Sequence, residues 1–298
     1  MLSPILVILS LLAADPAGAT PSGVASPPAK TDREKARKEL VAKMALEVVA
    51  EYEVTHGKDP AKLVLQKEPI LRWSNPSAGS VYGDVYVWTS QGRPEVLASI
   101  YRWYHPYRSQ TAEIHSLSTG EVAISSKDRK IWQPAKAGIE FVAAADAPVP
   151  AGTAQQRLQQ MRGLAKEFSV KLQDTREDKE KGVARELRML NQPVFRYNSQ
   201  NPELLDGALF AFVEGTDPEA WLLLEARKKD DKFAWQFAFA RMNNDELHGY
   251  QKQAEVWKVA KTDAPWQNPR ELTYALFLIR DIPWEDAPAE KTEATKEK

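Results

Sequence analysis

The sequence predicts an α+β protein built of two tandem helix-plus-antiparallel-meander repeats packed together. Three observations predict it. Two helical segments with capping boxes stand 122 residues apart, each is followed by a block of β-rich strands and tight turns, and the two strand blocks match at an offset of 124.

The first repeat is expected over residues 31–148. Thr31-Asp-Arg-Glu34 is a capping box, and Leu40, Val41, Met44, Val48 and Tyr52 follow at helical spacing. Gly83 to Thr89, Glu95 to Tyr104 and Thr111 to Ser118 are rich in Val, Ile, Tyr and Trp and are bounded by turn residues, so they read as strands. The second repeat is expected over residues 149–284, beyond a boundary near Ala147-Pro-Val-Pro-Ala-Gly152. Thr153-Ala-Gln-Gln156 is its capping box, followed by Leu158, Met161, Ala165 and Phe168. Its strands are Ala208 to Val213, Ala220 to Ala226, Phe233 to Met242 and Ala254 to Val259, and Tyr274 to Ile279 supplies one more.

Leu63, Pro69 and Arg72 recur as Leu187, Pro193 and Arg196, Gly83 meets Gly207, and Pro94-Glu95 meets Pro218-Glu219. Asp206-Gly207 reads as a turn before a strand. The recurring Arg72 with Glu95, and Arg196 with Glu219, predict an Arg–Glu pair linking neighbouring strands in each repeat. Trp221-Leu-Leu-Leu224 is apolar at every position, which predicts a strand buried on both faces and two repeats packed tightly together.

Residues 1–19 read as a signal peptide. The apolar run Leu2 to Ala14 is too short to span a bilayer, and Ala17-Gly18-Ala19 fits the small-residue cleavage rule. The product is therefore expected to be exported, periplasmic or extracellular, with no transmembrane segment after cleavage. Residues 20–30 (TPSGVASPPAK) read as a flexible linker, and residues 285–298 (EDAPAEKTEATKEK) as a disordered charged tail.

Composition narrows the chemistry. The 298 residues include no cysteine, which excludes disulfides, thiol nucleophiles and Cys-ligated metals. A net charge of -1 lacks the basic footprint of a nucleic-acid partner. The histidines are His56, His105, His115 and His248, with no HxH or HxxxH pair. No phosphate loop, dinucleotide fingerprint, nucleophile elbow or metalloprotease motif occurs, so no catalytic residue, cofactor or metal is predicted. Glu113 and His115, two apart on a strand, share a face on which an acid–base pair or metal site can be built.

The densest aromatic cluster is Tyr101-Arg102-Trp103-Tyr104-His105-Pro106-Tyr107-Arg108. Aromatic rings interleaved with arginines stack on sugars or hold acidic groups, so Tyr101, Arg102, Trp103, Tyr104, Tyr107 and Arg108 are the candidate ligand-binding residues, with Tyr82, Tyr86 and Trp88 as neighbours. The alternative is an aromatic cap closing a hairpin against the other repeat.

The stretches LRWSNPSAGSVYGDVYVWT, GRPEVLASIYRWY and DGALFAFVEGTDPEAWLLLEAR resemble a family of secreted proteins of unknown function abundant in planctomycete bacteria. The resemblance covers most of the chain after the leader. It implies export and a bacterial source, and carries no catalytic motif to transfer. The expected function is a non-enzymatic extracytoplasmic binding or structural protein of the cell envelope, with an envelope glycan or protein as partner. The competing expectation is a small hydrolase or isomerase-like enzyme with a pocket between a curved antiparallel sheet and its helix.

Overall fold

A computed structural model describes residues 30–57, 61–127, 129–176, 178–180, 182–262 and 272–279. The predicted leader and charged tail, and residues 20–29 of the predicted linker, lie outside the described residues. So does the side chain of Thr31, on which the first capping box rests. Lys30, assigned to the linker, begins a helix.

In the first half, helix α1 (Lys30–Ala50) precedes β1 (Glu53–His56), β2 (Val64–Leu65), β3 (Leu71–Ser74), β4 (Ser80–Ser90), β5 (Arg93–His105), β6 (Ser109–Ser116), β7 (Val122–Ser126), β8 (Arg129–Trp132) and β9 (Val142–Ala143). In the second, α2 (Ala154–Ala165) precedes β10 (Phe168–Asp174), β11 (Val183–Glu186), β12 (Arg188–Met189), β13 (Phe195–Tyr197), β14 (Leu204–Glu214), β15 (Asp217–Lys229), β16 (Lys232–Arg241), β17 (Glu246–Gln251), β18 (Ala254–Val259) and β19 (Tyr274–Leu278).

Two six-stranded antiparallel sheets form the centre. One runs β19-β6-β5-β4-β2 with β3 also on β4, and the other runs β12-β14-β15-β16-β9 with β13 also on β14. Alternation along the strands sorts their side chains between two faces. On β4, Val85 and Val87 point to a layer shared with Leu209, Ala211, Trp221 and Leu223 of the other sheet. Tyr82, Tyr86 and Trp88 point the other way, to Val41, Met44 and Val49 of α1 and to Ile124 and Trp132 of β7 and β8. The second sheet repeats this arrangement, with Phe210, Phe212 and Leu222 turned toward Met161 and Leu164 of α2 and toward Val170 of β10. Trp221, Leu222, Leu223 and Leu224 are all fully buried, because β15 has a covered face on either side. Thr153 caps α2, its hydroxyl accepting from Gln156 N.

The α+β expectation fails. The described residues are 52% strand and 13% helix, with two helices among them, a mainly-β fold. Helix-plus-meander repeats underestimate how much sheet covers sheet. The outer faces are closed by the helices together with two further small sheets, β1-β7-β8 and β11-β10-β17-β18. Neither half is self-contained either. β9 leaves the first half to pair with β16 through Phe237↔Val142, and β19 leaves the second to pair with β6 through Tyr274↔His115.

Asp206-Gly207 is not a turn but lies within β14. Gly207 faces Tyr197 across the β13–β14 pair, and a Cβ there would fall 2.4 Å from the tyrosine ring. Gly83 meets Trp73 in the same way, also at 2.4 Å. Each glycine leaves room for an aromatic ring lying flat on the strand, and the ring is buried in the layer beneath. Gly207→Ala must displace the buried Tyr197 ring, so it is expected to lower unfolding stability by about 1–3 kcal/mol in denaturant titration.

Candidate functional site

β5 carries most of the aromatic cluster, and strand alternation divides it. Tyr101 is buried in the inter-sheet layer with its ring 5.3 Å from that of Trp73. Arg102 and Tyr104 point to the opposite face, where Arg37 of α1 lies 4.5 Å above the Tyr104 ring. Trp103 is half-buried against Tyr107, ring centroids 5.1 Å apart. Only Tyr107 and Arg108 are exposed, in the turn between β5 and β6. The six residues therefore share no single contact face, and Tyr82, Tyr86 and Trp88 lie buried beneath α1.

The anticipated Arg–Glu pairs also rearrange. Arg72 stands 3.7 Å from Asp84, and Arg196 pairs with Asp206 at 2.8 Å. Glu95 pairs instead with Arg93 at 2.9 Å, and Glu219 accepts from Asn243 Nδ2 at 2.6 Å. Register decides this: Asp84 is the direct cross-strand partner of Arg72 on β3–β4, whereas Glu95 sits on the next strand.

A groove of about 820 Å³ runs between α1 and the β3–β4 pair, with Thr216 of the β14–β15 turn at one side. Its volume falls within the range of small-molecule sites. Asp84 lines it, projecting from the outer face of β4 between Tyr82 and Tyr86. The residue is 4% exposed, and its Oδ2 has no hydrogen-bond partner among the described residues. Burial pushes this carboxyl up to about 6, against the opposing pull of Arg72. Lys35, Lys38, Glu34 and Glu39 of α1 supply charges of both signs along the helix side. A second groove of the same volume, under the other end of α1, is floored by Met44, Val48 and Phe277 and has no buried carboxyl among its described lining.

A different acidic group lies sealed between the sheets. Glu113 and His115, which the sequence placed on one face, are both buried against Tyr274 of β19. Tyr274 Oη donates to Glu113 at 2.8 Å, and its ring lies 6.3 Å from that of His115. Glu219 and Asp217 of β15 approach from the other sheet. Burial pushes Glu113 and Glu219 up to about 8, with the charge of Glu219 adding to the rise at Glu113. Burial and the charges of Glu219 and Glu113 raise Asp217 as well. Burial holds the His115 imidazole down at about 4. The cavity beside His115, Arg241 and Tyr274 holds only about 160 Å³, too small for a substrate pocket. No group of three or more metal-ligating side chains occurs among the described residues.

Comparison with known protein families, with curated proteins and with solved structures finds no match to this chain.

The sealed carboxyls make stability depend on pH. The folded state keeps protons that the unfolded chain has lost, so their stabilisation is complete below about pH 4.5 and is lost as pH rises through about 8. His115 works in the opposite sense, but only between about 4 and its ordinary value of 6.5. Between pH 6.5 and 8.5 the carboxyls act alone. The protein is therefore expected to lose on the order of a few kcal/mol across that interval, read as a melting temperature several degrees lower at pH 8.5. Glu113→Gln, which fixes the neutral shape, is expected to raise the melting temperature at pH 8.5 and flatten the profile. An unchanged slope in that variant would assign the pH dependence to other groups.

Proposed function

We propose that this chain is an exported, non-enzymatic binding protein of a bacterial envelope and that its ligand site is the groove beneath α1. The observation that carries the reading is the buried carboxyl of Asp84, a residue that lines a groove of ligand size and whose Oδ2 has no hydrogen-bond partner among the described residues. Buried polar atoms are almost always satisfied, and an exception in a groove is a place for a ligand atom. The apolar leader with its Ala17-Gly18-Ala19 end and the likeness to secreted planctomycete proteins support export. Among the described residues no helix is long and apolar enough to cross a membrane. The 124-residue recurrence supports a duplicated ancestry for the two halves. The envelope partner remains a glycan, a protein or a smaller envelope molecule able to enter the groove.

A second reading rests on the same carboxyl. A group near pH 6 in a groove between helix and sheet takes up and returns protons at neutral pH, as a hydrolase or isomerase needs. Turnover of any substrate that disappears in Asp84→Asn would favour it over binding alone.

A thermal-shift screen of the purified protein against glycans, peptidoglycan fragments, amines, metals and lipids tests the binding reading. A ligand at 100 times its Kd stabilises by about 2.7 kcal/mol, a shift of several degrees for a protein of this size. Ala42 lines the groove, so Ala42→Trp is expected to fill it and erase the shift while the unliganded melt stays cooperative. A shift that survives Ala42→Trp places the ligand elsewhere. A reporter fused after Ala19 is expected to appear outside the cytoplasm, and its retention inside would overturn export.

A further inference from the structure

We propose that the groove beneath α1 selects molecules bearing an ammonium group, which Asp84 receives and for which Arg72 gives way. The proposal rests on the groove being the binding site.

Each half buries a carboxyl near its helix, at strand positions two residues apart in the recurrence (Asp84 aligns with Ala208, Asp206 with Tyr82), and the two are satisfied differently. In the second half the buried carboxyl Asp206 is held by two arginines: Arg196 from β13 at 2.8 Å, and Arg157 from α2, also at 2.8 Å. The helix thus reaches down and supplies a cation. In the first half Asp84 is just as buried, and α1, packed on the sheet through Val41, Met44 and Val49, leaves a groove beside it. The cation that faces it across the β3–β4 pair, Arg72, stops at 3.7 Å, outside hydrogen-bond reach, with 65% of its side chain exposed. Such an exposed contact compensates a buried carboxylate weakly, and a buried charge without a hydrogen-bonded partner is costly. Among the described residues no α1 side chain pairs with Asp84 as Arg157 pairs with Asp206.

An entering group must therefore be cationic and must donate hydrogen bonds. An ammonium has three donors and is compact enough to reach a carboxyl on the groove floor. The floor is suited to it in a second way. Tyr82, two residues from Asp84 on the same strand face, already carries the Lys38 ammonium 5.6 Å over its ring. Aromatic faces attract such cations. A neutral hydroxyl can donate to Asp84 but leaves its charge uncompensated.

The charged and titratable groups around Asp84 are few enough to name. Arg72 faces it from β3, and Tyr82 and Tyr86 flank it on β4. Glu34, Lys35, Lys38 and Glu39 line the groove from α1, with Lys38 tied to Glu34 at 2.6 Å. From β5, Arg102 is the cross-strand partner of Tyr82 and lies 5.2 Å from the Tyr104 ring. Glu68 precedes β3 and acts on Tyr86.

Calorimetric titration of the full-length protein with 3-methylbutylammonium and with 3-methylbutanol, equal in shape, tests the assignment. The ammonium is expected to bind at least tenfold tighter than the alcohol at pH 7.5. Its affinity is expected to fall as pH drops from 7 to 5 and the carboxyl takes a proton, while that of the alcohol stays flat. Asp84→Asn is expected to weaken the ammonium tenfold or more and leave the alcohol unchanged. Arg72→Gln is expected to tighten it about two- to fivefold by removing the competing cation, a sign that loss of a structural contact would not produce. Equal affinities for the two probes, or no binding of the ammonium, overturn the proposal. So does weaker binding in Arg72→Gln, which also decides the matter if Asp84→Asn does not fold. If the alcohol binds as well as the ammonium and Ala42→Trp blocks both, the groove stands and only the ammonium class falls. If Ala42→Trp blocks neither, the groove itself is the wrong site.

Discussion

The inner faces of the two six-stranded sheets can leave water only by covering each other, and the rest of the structure follows from that. β4, β5, β14 and β15 are apolar on both faces, so a sheet open to solvent on one side would expose a row of Val, Leu and Trp. Packing the sheets face to face removes one such row from each. The helices and the two small sheets then remove the other. The exchange of β9 and β19 ties the arrangement together, because the last strand of each half completes the sheet of the other. Smaller contacts repeat the reciprocity at the strand ends. Thr216 in the β14–β15 turn exchanges hydrogen bonds with Ser74 at the end of β3, and Gln91 in the β4–β5 turn accepts from Gln200 N after β13.

A layer this dry makes every charge inside it consequential. At one end, Arg93 starts β5 and stands between Glu95 and Glu225, 2.9 Å from each, while Tyr197 donates to Glu225 at 2.7 Å. Asp217 starts β15, at the place in its hairpin that Arg93 holds in the other. There an acid joins Glu219 and Glu113 where a cation would have balanced them. Coulomb repulsion and desolvation then favour protonation over charge, with Tyr274 and Asn243 donating to what remains. The two ends of one layer are thus held by opposite means, an ion pair network and a set of neutral acids.

The groove is the outer-face counterpart. In the second half Arg157 closes the distance between helix and sheet by binding Asp206 and also donates to the Ala151 and Gly152 carbonyls at the start of α2. In the first half no helix side chain among the described residues does this for Asp84, and a space of ligand size is left beside it.

The sequence by itself determined the long central strands β4 to β6 and β14 to β16, with β18 and β19, the capped helix after Thr153 and the double burial of Trp221 to Leu224, because period, propensity and turn chemistry act within a few residues. The strands of the two small sheets other than β18 were not read from it. It also placed Glu113 and His115 on one face, since alternation along a strand needs no partner. Which faces meet was decided by the tertiary structure alone. Alternation divided Tyr101 to Tyr104 between the two faces of β5 once both were covered and left Tyr107 and Arg108 in an exposed turn, and register gave Arg72 to Asp84 rather than to Glu95. Asp84 carried no signal in the chain, where it is one polar residue near the start of the strand read from Gly83 to Thr89. Its character comes from desolvation beneath a helix some forty residues away, and desolvation is a property of what surrounds a group rather than of its neighbours in sequence.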